Sequence, residues 1–232
     1  MSPEPFERLL EATQPDFEAH VLRHPLLLAL MKGELRRDHY AVFLRETFHL
    51  VRHTSRALAT AAARLGDEHR GLRGWLLEQA HEEHGHELFC IKDLRNLGLD
   101  PDSVLSAPPG PGAWGMVTQN YFLAVHSRPG AILGVAAATE GMGVQLADSM
   151  ADAVSAQLGI PDTATTFLRS HASFDARHFE EARRAVNSYA QAQDTLDEVI
   201  RARRYTFRYY GELYSDVLNA VERYFPADRH AA

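Results

Sequence analysis

The sequence predicts an all-α bundle, and three observations lead there. Apolar residues recur at helical spacing through several long blocks. Alternating β-branched runs closed by Asn-Gly or Asp-Gly turns are missing. Pro, Gly and Asp fall between the blocks, where helices start and stop. A first helix is expected over Pro5–Leu22, and Pro25 opens a short one that runs to about Leu35. Asp38 caps a long helix that ends at Gly66, and Asp67 starts another that stops at Gly98. Residues 100–112, DPDSVLSAPPGPG, are read as a helix–helix connection, because ligand-type residues lie on both sides of them. Helices resume over Trp114–Ser127 and Ala131–Leu158. Pro161 and Asp162 open one that runs to Ala190, and the last covers Asp194–Tyr224. Seven or eight helices without a repeat make one domain, 1–232.

Composition narrows the function classes. The chain has 232 residues, 45% hydrophobic, with 24 Lys+Arg against 31 Asp+Glu for a formal charge of −7. An acidic surface argues against nucleic acid and anionic membranes as partners. The one cysteine, Cys90, rules out an internal disulfide and a Cys-rich zinc site. With no base beside it in sequence, Cys90 reads as a small buried apolar residue rather than a nucleophile. The start lacks a basic-then-apolar signal pattern and no apolar run is long enough to span a bilayer, so the expectation is a cytoplasmic protein. The 13 histidines are the one compositional oddity.

Ligand-type residues recur at helical spacing on four separate helices. In SHASFDARHFEEA, His171, Asp175 and His178 stand at i, i+4 and i+7, within a sector of about 60°. Two imidazoles and a carboxylate on one stripe suit one face of a metal ion; a solvated His-rich face is the plain alternative. In AHEEHGHELF, Glu83 and His86 form Glu-x-x-His, the spacing by which one helix serves a carboxylate-bridged metal pair. The segment is crowded: Glu82 can replace Glu83 and His84 can replace His86, while His81 and Glu87 are further candidates and a charged surface patch is the bland reading. Glu46 shares a helix side with Phe43, Leu50, His49 and His53, so it is expected to face the interior, where it needs a cation or a hydrogen-bond partner. His53 is itself an alternative ligand. His49, His53, Tyr40 and Arg45 are near enough to orient Glu46. Glu140 interrupts ILGVAAATEGMGVQLA, an apolar stretch without another charge until Asp148. Carboxylates mixed with imidazoles and no thiolate suit iron or manganese more than structural zinc. Seven donors fit two ions bridged by a carboxylate, with Glu140 as the bridge candidate.

These residues resemble the haem-oxygenase-like diiron oxidases and oxygenases, whose superfamily includes the thiaminase-like proteins and the pyrroloquinoline quinone synthesis protein C. The family pattern is a Glu on one core helix, a Glu/His set on the next, a Glu on a third and His-x-x-x-Asp-x-x-His on a fourth. Glu46, then Glu83 and His86, then Glu140, then His171, Asp175 and His178 follow that order. HPLLLALMKGEL, FLRETFHLVRHT and HELFCIKDLRNLGLD extend the likeness over nearly the whole chain.

The resemblance implies a haem-oxygenase-like bundle of about seven helices with those seven residues holding two Fe(II)/Fe(III) ions. It implies O2 as co-substrate, an external electron donor, and a homodimer. The implied reaction is N-oxygenation or oxidative C–C cleavage of a small molecule, an amino acid derivative or a carboxylic acid. Arg204, Arg208 and Tyr121 are the substrate-binding candidates, an Arg being suited to clamp a carboxylate; a solvated basic face is their plain alternative. Competing expectations are a metal-free enzyme of the quinone-synthesis or thiaminase type, and a non-catalytic metal- or partner-binding bundle. A haem-binding reading would use His20 or His24, and it leaves the carboxylates unexplained.

Overall fold

The computed structural model describes residues 3–224; the side chains of 173–176 and 221–224 lie outside the described residues. Eleven α-helical segments follow one another, and no strand occurs among the described residues. The first helix is α1 (Pro5–Phe17), continued by one π turn over Glu18–Leu22, so its predicted length holds. α2 (Pro25–Lys32) ends short of Leu35, because Gly33 takes the left-handed conformation at φ +77°.

Two predicted helices are broken. The stretch expected from Asp38 to Gly66 is α3 (Arg37–Val51) and α4 (Thr54–Ala63), with a turn at 52–53. The stretch expected from Asp67 to Gly98 is α5 (Arg70–Glu82) and α6 (Glu87–Asn96). Gly85 sits in the gap at φ +93°, which glycine reaches without a Cβ clash. The Pro/Gly connection holds a short α7 (Pro101–Leu105), whose N-terminal amides on Asp102 and Ser103 donate to the Asp100 carboxylate. These two breaks and α7 account for the excess over the seven or eight helices expected. α8 (Pro111–His126), α9 (Leu133–Leu158), α10 (Thr166–Tyr189) and α11 (Gln193–Tyr224) complete the bundle.

α9 lies along α10, α11 packs on α8 and α9, α4 pairs with α5, and α3 with α6. Small residues allow the close approach of α9 to α11. A Cβ added at Gly134 would strike the Val199 carbonyl and lie 2.9 Å from the Ala202 Cβ. Backbone cannot yield as a side chain can, so Gly134→Ala is expected to cost about 3 kcal/mol in chemical denaturation. An unchanged midpoint would show that the two helices have room to spare.

The core forms two apolar clusters. One gathers Phe17, Val21, Leu44, Leu94, Phe207 and Leu213. The other gathers Leu9, Leu72, Leu76, Leu133, Val186 and Leu196. Between α6 and α10 runs a polar tie. Asp93, fully buried, accepts from the Thr166 amide (2.8 Å), the Thr166 hydroxyl (2.6 Å) and the Phe167 amide (2.8 Å). These are first-turn donors of α10, which no residue of α10's own N-terminus caps. A side chain from α6 thereby fixes where α10 begins.

Candidate metal centre

Glu83, Glu140 and His178 each offer a ligand atom, and the three atoms lie within 4.8 Å of one another. They come from three elements. Glu83 sits in the turn between α5 and α6, Glu140 two turns into α9, and His178 midway along α10. The side chains of Glu83 and Glu140 are 12% and 14% exposed and that of His178 is 3% exposed. Two carboxylates held this close and this far from water repel each other, so they call for a cation.

The histidines around them are oriented. His178 Nδ1 lies 3.5 Å from Glu140 Oε2 and its Nε2 lies 2.9 Å from Glu82 Oε2. The hydrogen bond to Glu140 is the chief cause that raises the His178 pKa, so the ring holds a proton longer than a free imidazole. Arg177 also approaches His178 Nε2, at 2.9 Å, and is itself paired with Glu82 and Glu181. His86 Nδ1 lies 3.3 Å from Glu83 Oε2. Burial pushes the His86 pKa down, and the bond to Glu83 outweighs it and raises the pKa. Burial likewise opposes ionisation of Glu83, but the hydrogen bond and charge of His86 hold its carboxyl below the usual range.

His171 shows the arrangement of a ready ligand. Its Nδ1 donates to the Phe167 carbonyl at 2.7 Å, which leaves the lone pair on Nε2. Burial lowers its pKa and so favours the neutral ring. Its ring centroid stands 5.1 Å from that of His86. Asp175, the middle member of the α10 stripe, has a side chain outside the described residues.

The crowded AHEEHGHE segment resolves because the helix breaks there. His81 and His84 are exposed, whereas Glu82, Glu83 and His86 turn inward. Both acids therefore reach His178 or its neighbours, Glu83 within the close trio and Glu82 through His178 Nε2.

Glu46 is not a member of this trio. It is fully buried, as its helix side foretold, but its partners are protein groups. Arg45 donates to Glu46 Oε1 from Nε (2.9 Å) and Nη2 (2.7 Å). The Gly110 amide, at the start of α8, donates to Oε2 (2.7 Å). Glu46 thus neutralises a buried arginine and anchors a helix N-terminus. Glu46→Gln is expected to leave bound iron unchanged and to cost about 3 kcal/mol, the usual scale for breaking a buried pair. Iron lost in proportion to Glu46 would reverse that assignment.

The supporting residues divide similarly. His49 Nε2 meets the Ala107 carbonyl at 2.9 Å and so holds the 100–112 connection. His53 Nδ1 meets the Tyr121 hydroxyl at 3.2 Å. Arg204 ties α11 to α1 through the Ala12 carbonyl and Asp16, and Arg208 is exposed. None of Tyr121, Arg204 and Arg208 lines the cavity described next. Cys90 is fully buried with its thiol pKa pushed up by burial, as a packing residue should be.

A cavity of about 150 Å3 opens against the trio, with Glu83, Glu140 and His171 in its wall. The rest of the wall draws on both apolar clusters: Phe43, Leu50 and Met142 from one, Leu58, Ile132 and Val135 from the other. Several polar members, Gln79, Trp75 and Asn120 among them, were not singled out from the sequence. Gln79, buried, lies one turn before Glu83 and donates to Glu181 at 3.2 Å. Its i−4 spacing from Glu83 was the available signal. Trp75, one turn earlier, and Asn120 on α8 carried none.

Comparison with known proteins agrees with this geometry. Residues 41–211 match the family model described as iron-containing redox enzyme, of the haem oxygenase kind. A domain of unknown function with a haem oxygenase-like fold from Shewanella denitrificans superposes with a TM-score of 0.86 at 22% identity, covering 98% of each chain. A TenA homologue from P. horikoshii gives 0.77 at 14% identity, over 94% of this chain and 99% of the other. Haem oxygenase-2 from Synechocystis, in complex with haem and NO, gives 0.69 at 18% identity, over 98% and 90%. No curated protein matches the sequence. With three-quarters of its length inside the family model and the fold shared end to end, the chain belongs to the haem-oxygenase-like family of iron-containing redox enzymes.

Proposed function

We propose that this protein is a non-haem diiron oxidase or oxygenase that uses O2 to oxidise a small, largely apolar molecule. The observation that carries the reading is the Glu83–Glu140–His178 trio, two of whose members, Glu83 and Glu140, stand in the wall of an apolar cavity. Hard oxygens with an imidazole and no thiolate suit iron. Glu83, Glu140 and His178 would hold it, with His171 Nε2, His86 and Asp175 completing a set large enough for two ions. Iron bound there supplies electrons for the reduction of O2. The chain's own residues do the rest. Glu82 and the Phe167 carbonyl orient His178 and His171, the apolar wall keeps bulk water from the reacting centre, and Gln79 places an amide beside the acids.

His24, one of the two histidines a haem reading would use, fits haem poorly. His24 Nδ1 accepts the Leu26 amide, so the ring proton sits on Nε2, which donates to Ser215. No lone pair is left there for iron. The metal-free alternative draws on one observation, that a protonated His178 between Glu140 and Glu82 is a ready proton donor. It predicts activity that survives chelation.

The test is anaerobic loading with Fe(II), an iron count, and rapid mixing with O2 across a panel of small molecules. About two irons per chain and substrate-triggered O2 uptake are expected; no stoichiometric iron would end the reading. A pH series adds a second check. The proton that Glu140 holds on His178 competes with the metal, so affinity for Fe(II) should climb as pH rises through the raised His178 pKa, with proton release on binding. Calorimetry in two buffers of different ionisation enthalpy reads that proton, and a pH-independent affinity would remove His178 from the ligand set.

A further inference from the structure

The cavity wall holds two polar atoms without a hydrogen-bond partner, Asn120 Oδ1 and Trp75 Nε1. Asn120 is 5% exposed, so bulk water does not satisfy its oxygen. A buried acceptor left unpaired is unfavourable, and wild-type cores rarely keep one without a use. The other wall hydroxyl on α9 is already engaged, since Thr139 donates back to the Val135 and Ala136 carbonyls. Gln79 is likewise bonded to Glu181.

Charge in the wall points the same way. Among the described residues no Lys or Arg lines the cavity, and its acids are Glu83 and Glu140. A ligand carboxylate would find no cationic side chain to clamp it, and a ligand ammonium would have to shed its water among mostly apolar groups. An uncharged group that both donates and accepts suits the two orphan atoms, with a donor for Asn120 Oδ1 and an acceptor for Trp75 Nε1. The volume sets the size, since a dry cavity of about 150 Å3 takes a molecule on the scale of benzene.

We propose that Asn120 is the specificity-determining residue of this cavity, and that the ligand is a small apolar molecule of about six carbons bearing an uncharged carboxamide or hydroxyl, whose N–H or O–H donates to Asn120 Oδ1. The inference rests on reading the cavity as the substrate pocket of the proposed oxidase. It narrows the substrate away from free carboxylates and amines.

The test uses binding to the full-length metal-free protein, so it does not depend on O2 chemistry. Hexanamide, 1-hexanol, hexanoate, hexylammonium and toluene are titrated by calorimetry into the unmutated protein and into Asn120→Leu. Hexanamide and hexanol should bind at least about tenfold tighter than hexanoate and hexylammonium. Asn120→Leu should weaken hexanamide by at least about tenfold and leave toluene unchanged, which shows that the cavity is intact. If the Leu variant loses toluene as well, the ranking of the four polar ligands on the unmutated protein decides alone. Equal affinity for the charged and uncharged ligands overturns the proposal, as does an Asn120→Leu variant that keeps hexanamide and toluene at full affinity. The series is repeated with Zn(II), which is redox-inert. Hexanoate overtaking hexanamide there would assign recognition to the metal and not to Asn120, again overturning it. Iron loading and O2 uptake are read separately, so an oxidase that fails this ranking still stands as an oxidase.

Discussion

Glu140→Ala is expected to abolish stoichiometric iron binding, with an affinity loss of at least about 100-fold and O2 uptake falling with it. Glu140 is a cavity-wall carboxylate from α9, placed within the trio and beside His178 Nδ1. Its removal leaves Glu83 and His178 with a gap that no neighbouring α9 side chain fills, since Thr139 is turned to its own backbone. The same change removes the chief cause of the raised His178 pKa, so the imidazole should titrate lower in the metal-free variant. That shift, followed by NMR, separates a specific effect from loss of fold. Helix content should persist, because α9 otherwise buries small apolar residues that alanine resembles. Full iron occupancy in Glu140→Ala would displace the proposed centre altogether.

Asp93→Ala is expected to lower stability and iron affinity together. One buried carboxylate meets three donors from the first turn of α10. Its loss strands two backbone amides where water does not reach, at a cost of about 3 kcal/mol. For a domain of this size that lowers Tm by roughly 10 °C. The consequence extends to the site, because Asp93 sets where α10 starts relative to α6, and His171 follows five residues after Thr166. His86 is the N-cap of α6, the helix that carries Asp93. Asp93→Ala should therefore also lower iron affinity, whereas Asp93→Asn, which keeps an acceptor, should restore part of both. A variant with an unchanged Tm would show that α10 is held by packing alone.

The breaks in the helices explain what periodicity can and cannot tell. Reading α5 and α6 as one straight helix carries an angular phase from Trp75 through Leu94, and that phase is lost at Gly85. Which of Glu82, Glu83, His84 and His86 face inward is decided by a turn that spacing does not describe. Glu46 shows a different limit. Its helix side foretold burial, and burial is observed, but the need it created was met by Arg45 and the Gly110 amide. A buried acid signals that it has a partner without saying which.

The amino-acid sequence by itself determined the all-helical class, most helix starts and stops, the buried character of Glu46 and Cys90, and the stripe that brings His171 and His178 to one side of α10. All of these follow from local chemistry: a repeat near 3.6 residues, capping groups at chain breaks, and the cost of placing a charge among apolar neighbours. Only the tertiary structure decided that Glu83, Glu140 and His178 share a 4.8 Å neighbourhood while Glu46 serves the start of α8, and that Asn120 looks into the same cavity. Those outcomes depend on distances between segments far apart in the chain. The packing of α9 against α10 and α11 sets such distances, and no residue's own spacing encodes them.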